Sequence, residues 1–204
     1  MRQRATLLLI LATAPVAQSA DEAKLLEKGR AVWFTAGGIG CAGCHGRFGE
    51  GDVGVGPFNR GVGASKIQAA IKTVPQMGVV RNLAADDIAA VIAYNSWLGQ
   101  HQLVKTLLKR DKFLPESAEV QPGTPLQLAI NNSGIAAHRF AGPAMGVAPF
   151  EVEGKTVHDF VWRAPEQEGT YALRCIDCGA QGQEFTIKVS RSAQPFRAGE
   201  LAKK

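Results

Sequence analysis

Apolar residues recur with helical spacing in the first half of the chain and with strand spacing in the second. Leu25, Leu26, Gly29, Val32 and Trp33 fall on one face of a helix, with Asp21 placed to cap it. Gly37, Gly38 and Gly40 end that helix just before Cys41. Ser65 is placed to cap a second helix whose Ile67, Ala70, Ile71 and Val74 share a face. A third begins near Asp86, where acidic groups meet the positive end of the helix dipole; its stripe is Ile88, Val91 and Ile92, extended by Trp97 or Leu98. Leu103, Val104, Leu107 and Leu108 predict a short amphipathic connector helix, with Lys105, Lys109, Arg110 and Lys112 on its solvated face. After that the period becomes two. Leu126, Leu128 and Ile130 alternate with polar or small residues, as do Tyr171, Leu173 and Cys175, and Phe185, Ile187 and Val189. Gln121-Pro122-Gly123, Asn131-Asn132-Ser133-Gly134 and Glu168-Gly169 supply the turns, so a β-sandwich is expected there.

The N-terminus reads as an export signal. Arg2 and Arg4 precede a short apolar run containing Leu7 to Leu11, and small residues place cleavage after Ser19 or Ala20. That run is shorter than the ~20 residues a spanning helix needs, and no later segment is long and apolar enough. The expected location is the periplasm, with a mature chain that is soluble and has no membrane span. Processing removes two arginines, leaving 21 basic and 18 acidic residues, so the formal charge falls from +5 to +3. This mild excess gives no reason to expect a nucleic-acid partner and weakly favours an acidic protein partner. The 46% hydrophobic content over 204 residues is enough for one large or two small packed units, which sets aside disorder and fibrous repeats.

Four cysteines form two pairs in an oxidising compartment, and the pairs need different explanations. Cys41-Ala42-Gly43-Cys44-His45 is the haem c attachment pattern: two thiols add to the vinyl groups, and the short turn sets His45 beneath the iron. The competing readings are a redox dithiol, which wants a βαβ setting, or half of a zinc site, which wants a second ligand pair. Met77, in Val74-Pro75-Gln76-Met77-Gly78, is the candidate distal ligand, since a thioether opposite histidine favours electron transfer. The alternatives are that Met77 fills core space or that His101 takes the position.

On these residues, together with Gly56-Pro57 and the helix from Leu83 to Tyr94, residues 22–99 resemble the class I cytochrome c family. The resemblance implies that the Pro57 carbonyl orients His45. Residues 113–190 are similar to the cupredoxin fold, through Val120 to Leu126, Asn131-Asn132 with His138, and Pro165 to Cys175. Cys175-Ile176-Asp177-Cys178-Gly179 resembles the ligand loop of the dicopper domain of oxidase subunit II. The expected fold class is therefore α + β in two domains, an all-α class I cytochrome c domain followed by an all-β cupredoxin-like Greek-key sandwich. The expected division is signal peptide 1–20, cytochrome domain 21–100, connector 101–112, cupredoxin-like domain 113–190 and polar tail 191–204.

The second site departs from the dicopper pattern. Two residues rather than three separate the cysteines, and Gly182 and Phe185 stand where that family has histidine and methionine. An unusual copper site would draw on His138, Cys175 and Cys178, with Met145 or His158. Otherwise the sandwich is empty, with the two cysteines disulfide-bonded or free. The expected cofactor set is thus one covalent haem c on Cys41 and Cys44, with His45 and Met77 as axial iron ligands, and copper ranked below it.

The leading functional expectation is a monohaem electron carrier, not an enzyme, working between a dehydrogenase or respiratory complex and an oxidase or another cytochrome. The alternatives are a non-catalytic cytochrome subunit of a flavin- or quinone-dependent dehydrogenase, and a copper-binding or thiol redox sensor module.

Overall fold

The computed structural model describes residues 19–179 and 182–196; most of the expected signal peptide and the end of the polar tail lie outside them. Helix α1 (Ala20–Thr35) starts two residues earlier than a cap at Asp21 would place it. Its cap is Ser19, whose hydroxyl accepts from the Glu22 amide at 3.1 Å; Asp21, the expected cap, sits in the first turn instead. The short α2 (Ala42–His45) follows, then α3 (Ala64–Thr73), capped by the backbone of Gly63 rather than by Ser65, and α4 (Ala85–Gly99). A 3-10 segment over Pro75–Val80 carries Met77 between α3 and α4. Helices α1 and α4 cross closely because Gly29 lies against the Ala90 carbonyl, where a Cβ would collide. Val32, Trp33, Ile71, Val91, Tyr94 and Leu98 form the core between the helices.

The expected connector helix is a strand. Strand β1 (Gln102–Lys109) runs directly on from α4, and β2 (Lys112–Leu114) returns from it. The four leucine and valine positions have helical spacing, whereas the strand buries Val104, Thr106 and Leu108 on one face. What settles it is a parallel partner far along the chain: β4 (Pro125–Asn132) pairs with β1, with Val104 opposite Leu128. The remaining strands are β3 (Ser117–Val120), β5 (His138–Gly142), β6 (Val147–Val152), β7 (Thr156–Arg163), β8 (Gly169–Cys175) and β9 (Gln183–Val189). They form two sheets, ordered β2-β1-β4-β7 and β3-β9-β8-β5-β6, that enclose one core of Leu126, Leu128, Ile130, Phe140, Leu173, Phe185 and Ile187. A two-sheet β-sandwich is thus present, as the alternation suggests. Its sheets are mixed: β1–β4 and β3–β9 are parallel and the other pairs antiparallel.

The expected fold class needs correction. The described residues do not make an all-α class I cytochrome c domain followed by an all-β sandwich; they make a few helices laid on two mixed sheets. The reason is on β4. Leu126, Leu128 and Ile130 face the sandwich core, yet Gln127 and Ala129 on the opposite face are also buried. The helical layer covers them. Arg60, only 3% exposed, donates to the carbonyls of Phe48 (2.7 Å), Leu98 (2.7 Å) and His101 (2.9 Å), and to Gln127 Oε1 (3.0 Å). Gln127 Nε2 donates to Asp159 Oδ2 at 2.9 Å, and Asp159 Oδ1 accepts from Arg30 of α1 at 2.8 Å. Lys105 of β1 reaches Glu50 and Asp52 across the same junction. Burial pulls the Arg60 guanidinium down to about 10, partly offset by Glu50 and Tyr94, so it stays charged at neutral pH. No helix among the described residues is long and apolar enough to cross a membrane.

Arg60→Ala removes four donated bonds and leaves buried acceptors unpaired. It is expected to cost about 3 kcal/mol or more, read as a lower urea midpoint. Arg60→Lys should recover less than half of that, because an ammonium cannot reproduce the planar fork.

Candidate metal centre

Antiparallel pairing of β5 with β8 sets Phe140 opposite Cys175. Continuing that register outward brings His138, the first residue of β5, level with Asp177, just past the end of β8. The Ile176 amide donates to the Arg139 carbonyl at 2.8 Å and holds the Cys175–Cys178 loop against β5. One donor atom each from His138, Cys175, Asp177 and Cys178 lies within 4.8 Å of every other. His138 Nδ1 is 3.7 Å from Cys178 Sγ and 3.2 Å from Asp177 Oδ1, and its Nε2 is 3.8 Å from Asp111 Oδ1. Both cysteines are fully buried and are joined to each other as a disulfide.

Asp177 is held by more than His138. The Arg139 amide donates to it at 3.1 Å and the Arg139 Nε at 3.4 Å. Burial pushes its carboxyl up, but these bonds and the one to His138 outweigh burial, so the group lies below its ordinary value.

The structure brings together three of the four residues expected for copper and leaves one out. Met145 sits in a 3-10 turn (Pro143–Met145) beyond the opposite end of β5, with its sulfur near Gly142 and its carbonyl accepting from Trp162 Nε1 at 2.9 Å. Its alternate, His158, is on β7 and stacks on Phe150 at 4.5 Å between ring centroids. Phe185 is fully buried in β9, so it packs where the dicopper family has a methionine. The residue that sequence reasoning missed is Asp177. Its signal was its place between the two cysteines, but only strand register shows that it faces His138.

The residues of the first motif also converge. Cys41, Cys44, His45 and Met77 line one cavity of about 460 Å³ with Trp33, Pro57 and Val91. His45 Nδ1 donates to the Pro57 carbonyl at 2.8 Å, which leaves Nε2 as its free nitrogen. Gly56 permits this contact, since a Cβ there would come within 2.7 Å of Nδ1. Cys41 and Cys44 are free thiols, and burial pushes Cys41 up to about 11. His101 lies elsewhere, with Nδ1 donating to the Trp97 carbonyl at 2.8 Å.

The expected cofactor ranking is corrected accordingly. The metal-donor cluster assembled among the described residues is His138, Cys175, Asp177 and Cys178, whose imidazole and cysteine sulfurs, once reduced, are of the soft kind that suits copper. That reverses the order in which covalent haem c stood first and copper behind it.

Fold and site together define a two-sheet β-sandwich with a cluster of imidazole, carboxylate and cysteine donors at one end. No protein-family model matches the chain, and no curated protein matches it. Solved structures do. The metal-binding domain of the Cu(I)-exporting P-type ATPase CopA of Streptococcus pneumoniae D39 is 14% identical over 45% of this chain and 87% of that one, with a TM-score of 0.37. The periplasmic domain of cytochrome oxidase subunit II of Bradyrhizobium japonicum is 12% identical over 45% and 85%, also with a TM-score of 0.37. Auracyanin A, a blue copper protein of Chloroflexus aurantiacus, is 12% identical over 43% and 98%, with a TM-score of 0.35. These values are too low to assign a function, which has to come from the site's own geometry.

Because Asp177 is depressed when folded, its ionised form stabilises the fold at neutral pH. That contribution is lost as pH falls through its ordinary value of 3.8 and on to the lower folded value. Asp177→Asn should flatten the drop in thermal midpoint between about pH 4 and pH 2; an unchanged drop would show that the carboxylate contributes nothing there.

Proposed function

We propose that the chain is an exported copper-binding redox module, in which His138 and the reduced Cys175 and Cys178 hold a copper ion with Asp177 beside them. The observation that carries this reading is the convergence of the four donors within 4.8 Å at the end of the sandwich. Two thiolates and one imidazole fit a single soft ion. They do not fit a dicopper centre, because the places for a second imidazole and a thioether are filled by Gly182 and Phe185. Copper bound there would supply a one-electron couple. The chain's own part is to exclude water from the two buried sulfurs and to keep His138 Nδ1 turned toward Cys178 and Asp177, with Asp111 3.8 Å from Nε2 on the far side of the ring. Its partners on this reading are redox proteins of the periplasm, and the chain is a carrier rather than an enzyme.

Reduced protein titrated with Cu(I) under anaerobic conditions should take up about one ion at this cluster. His138→Ala should weaken that binding by more than the roughly 10–100-fold typical of losing an outer-shell partner. Equal copper affinity in the variant would overturn the reading.

A second reading places electron transfer in the helical cavity. It is favoured by two free thiols, an oriented imidazole and a thioether lining one space. The Asn59 and Asn95 side-chain oxygens, on residues lining the same cavity, are buried with no hydrogen-bond partner among the described residues. This reading expects a group covalently held by Cys41 and Cys44, so protein matured in a periplasm should have an intact mass above that of the processed polypeptide and absorb visible light. An unmodified mass and a colourless protein would reject it.

A further inference from the structure

We infer that the Cys175–Cys178 pair is a two-electron redox gate on the copper site, so that the chain holds either the disulfide or the metal and never both. The inference rests on the copper reading and goes beyond it. The two sulfurs that complete the ligand cluster are the same two that are bonded to each other. A disulfide sulfur is a poor ligand, because the metal-binding form of cysteine is the thiolate. In the oxidised chain His138 and Asp177 are the only donors left in the cluster, and Asp177 is already engaged by the Arg139 amide and side chain. Both cysteines are fully buried. Within the fold their sulfurs lie beside each other, with His138 Nδ1 3.7 Å from Cys178 Sγ and Asp177 Oδ1 3.6 Å from Cys175 Sγ.

The chemistry balances with a dithiol as the reductant. Its thiolate attacks one sulfur of the Cys175–Cys178 bond, its second thiol closes to a disulfide, and Cys175 and Cys178 leave as two thiols. Cu(I) then displaces both thiol protons to water, with no change in oxidation state. In the opposite direction an external disulfide is the oxidant: one cysteine thiolate attacks it and releases a thiolate, the other cysteine displaces the second thiolate to close the Cys175–Cys178 bond, and Cu(I) is expelled. Copper occupancy thus reports the thiol–disulfide poise of the compartment.

The test uses the full chain carrying Cys41→Ser and Cys44→Ser, so that Cys175 and Cys178 are its only cysteines. One portion stays oxidised. The other is reduced with a water-soluble phosphine, which takes its oxygen from water as it becomes the phosphine oxide. Each is titrated with Cu(I) against a chromophoric Cu(I) chelator. The reduced chain should bind at least about tenfold more tightly than the oxidised one. Equal binding by both forms would overturn the gate and leave the copper reading standing. Binding by neither would overturn the copper reading and the gate with it. Should the double variant fail to fold, the unmutated reduced chain is alkylated with and without Cu(I), and the modified cysteines are mapped by mass. Protection of Cys175 and Cys178 by Cu(I) supports the gate, and full modification of both rejects it.

Discussion

The burial of Arg60 is the constraint on which the rest of the structure depends. A guanidinium that has lost most of its water must find acceptors for its donors. Arg60 finds them in three carbonyls, those of Phe48, Leu98 and His101, and in the amide oxygen of Gln127. Those four acceptors come from the segment after the cysteine motif, the end of the last helix, the start of the first strand and the middle of β4. One side chain therefore fixes where the helices meet the sheet. The second ion pair, Arg30 with Asp159, extends the same network through Gln127. A sheet face that would ordinarily be solvated becomes an internal boundary at which Arg60, Gln127, Asp159 and Arg30 are bonded in series.

At the other end of the sandwich the organising principle is register. Each β5–β8 pairing moves the strand ends in step, so His138 and Asp177 meet because Phe140 and Cys175 do. The loop that carries the cysteines is anchored by the Ile176 amide and by Asp177, whose carboxylate takes donors from Arg139. That anchoring holds the Cys-X-X-Cys turn beside the His138 imidazole, with both sulfurs buried and Ile176 and Asp177 exposed.

The helical cavity and the donor cluster lie on different layers. The space lined by Cys41, Cys44, His45 and Met77 belongs to the helical layer, and the donor cluster to the sheet farther from it. Between them runs the sandwich core, where Phe140, Phe150 and His158 stack in turn at 5.6 and 4.5 Å between centroids. The helices and sheets thus hold two sets of sulfur and imidazole donors in one packed body.

Much of this was legible in the residues. The 3.6-residue stripes found α1, α3 and α4, because each buries a single face. Alternation found β4, β8 and β9, whose inward residues are fully buried. Motif spacing grouped Cys41, Cys44 and His45, since local turns alone bring them together. Tertiary structure decided what depends on distant partners. The stretch Leu103–Leu108 became β1 because a parallel strand lay ready to pair with it. The separate all-α and all-β units expected from the sequence became layers of one assembly because Gln127 and Arg60 bond across their boundary. Asp177 joined the metal cluster, and Met145 was left out of it, because strand register acts over tens of residues and leaves no mark on local sequence.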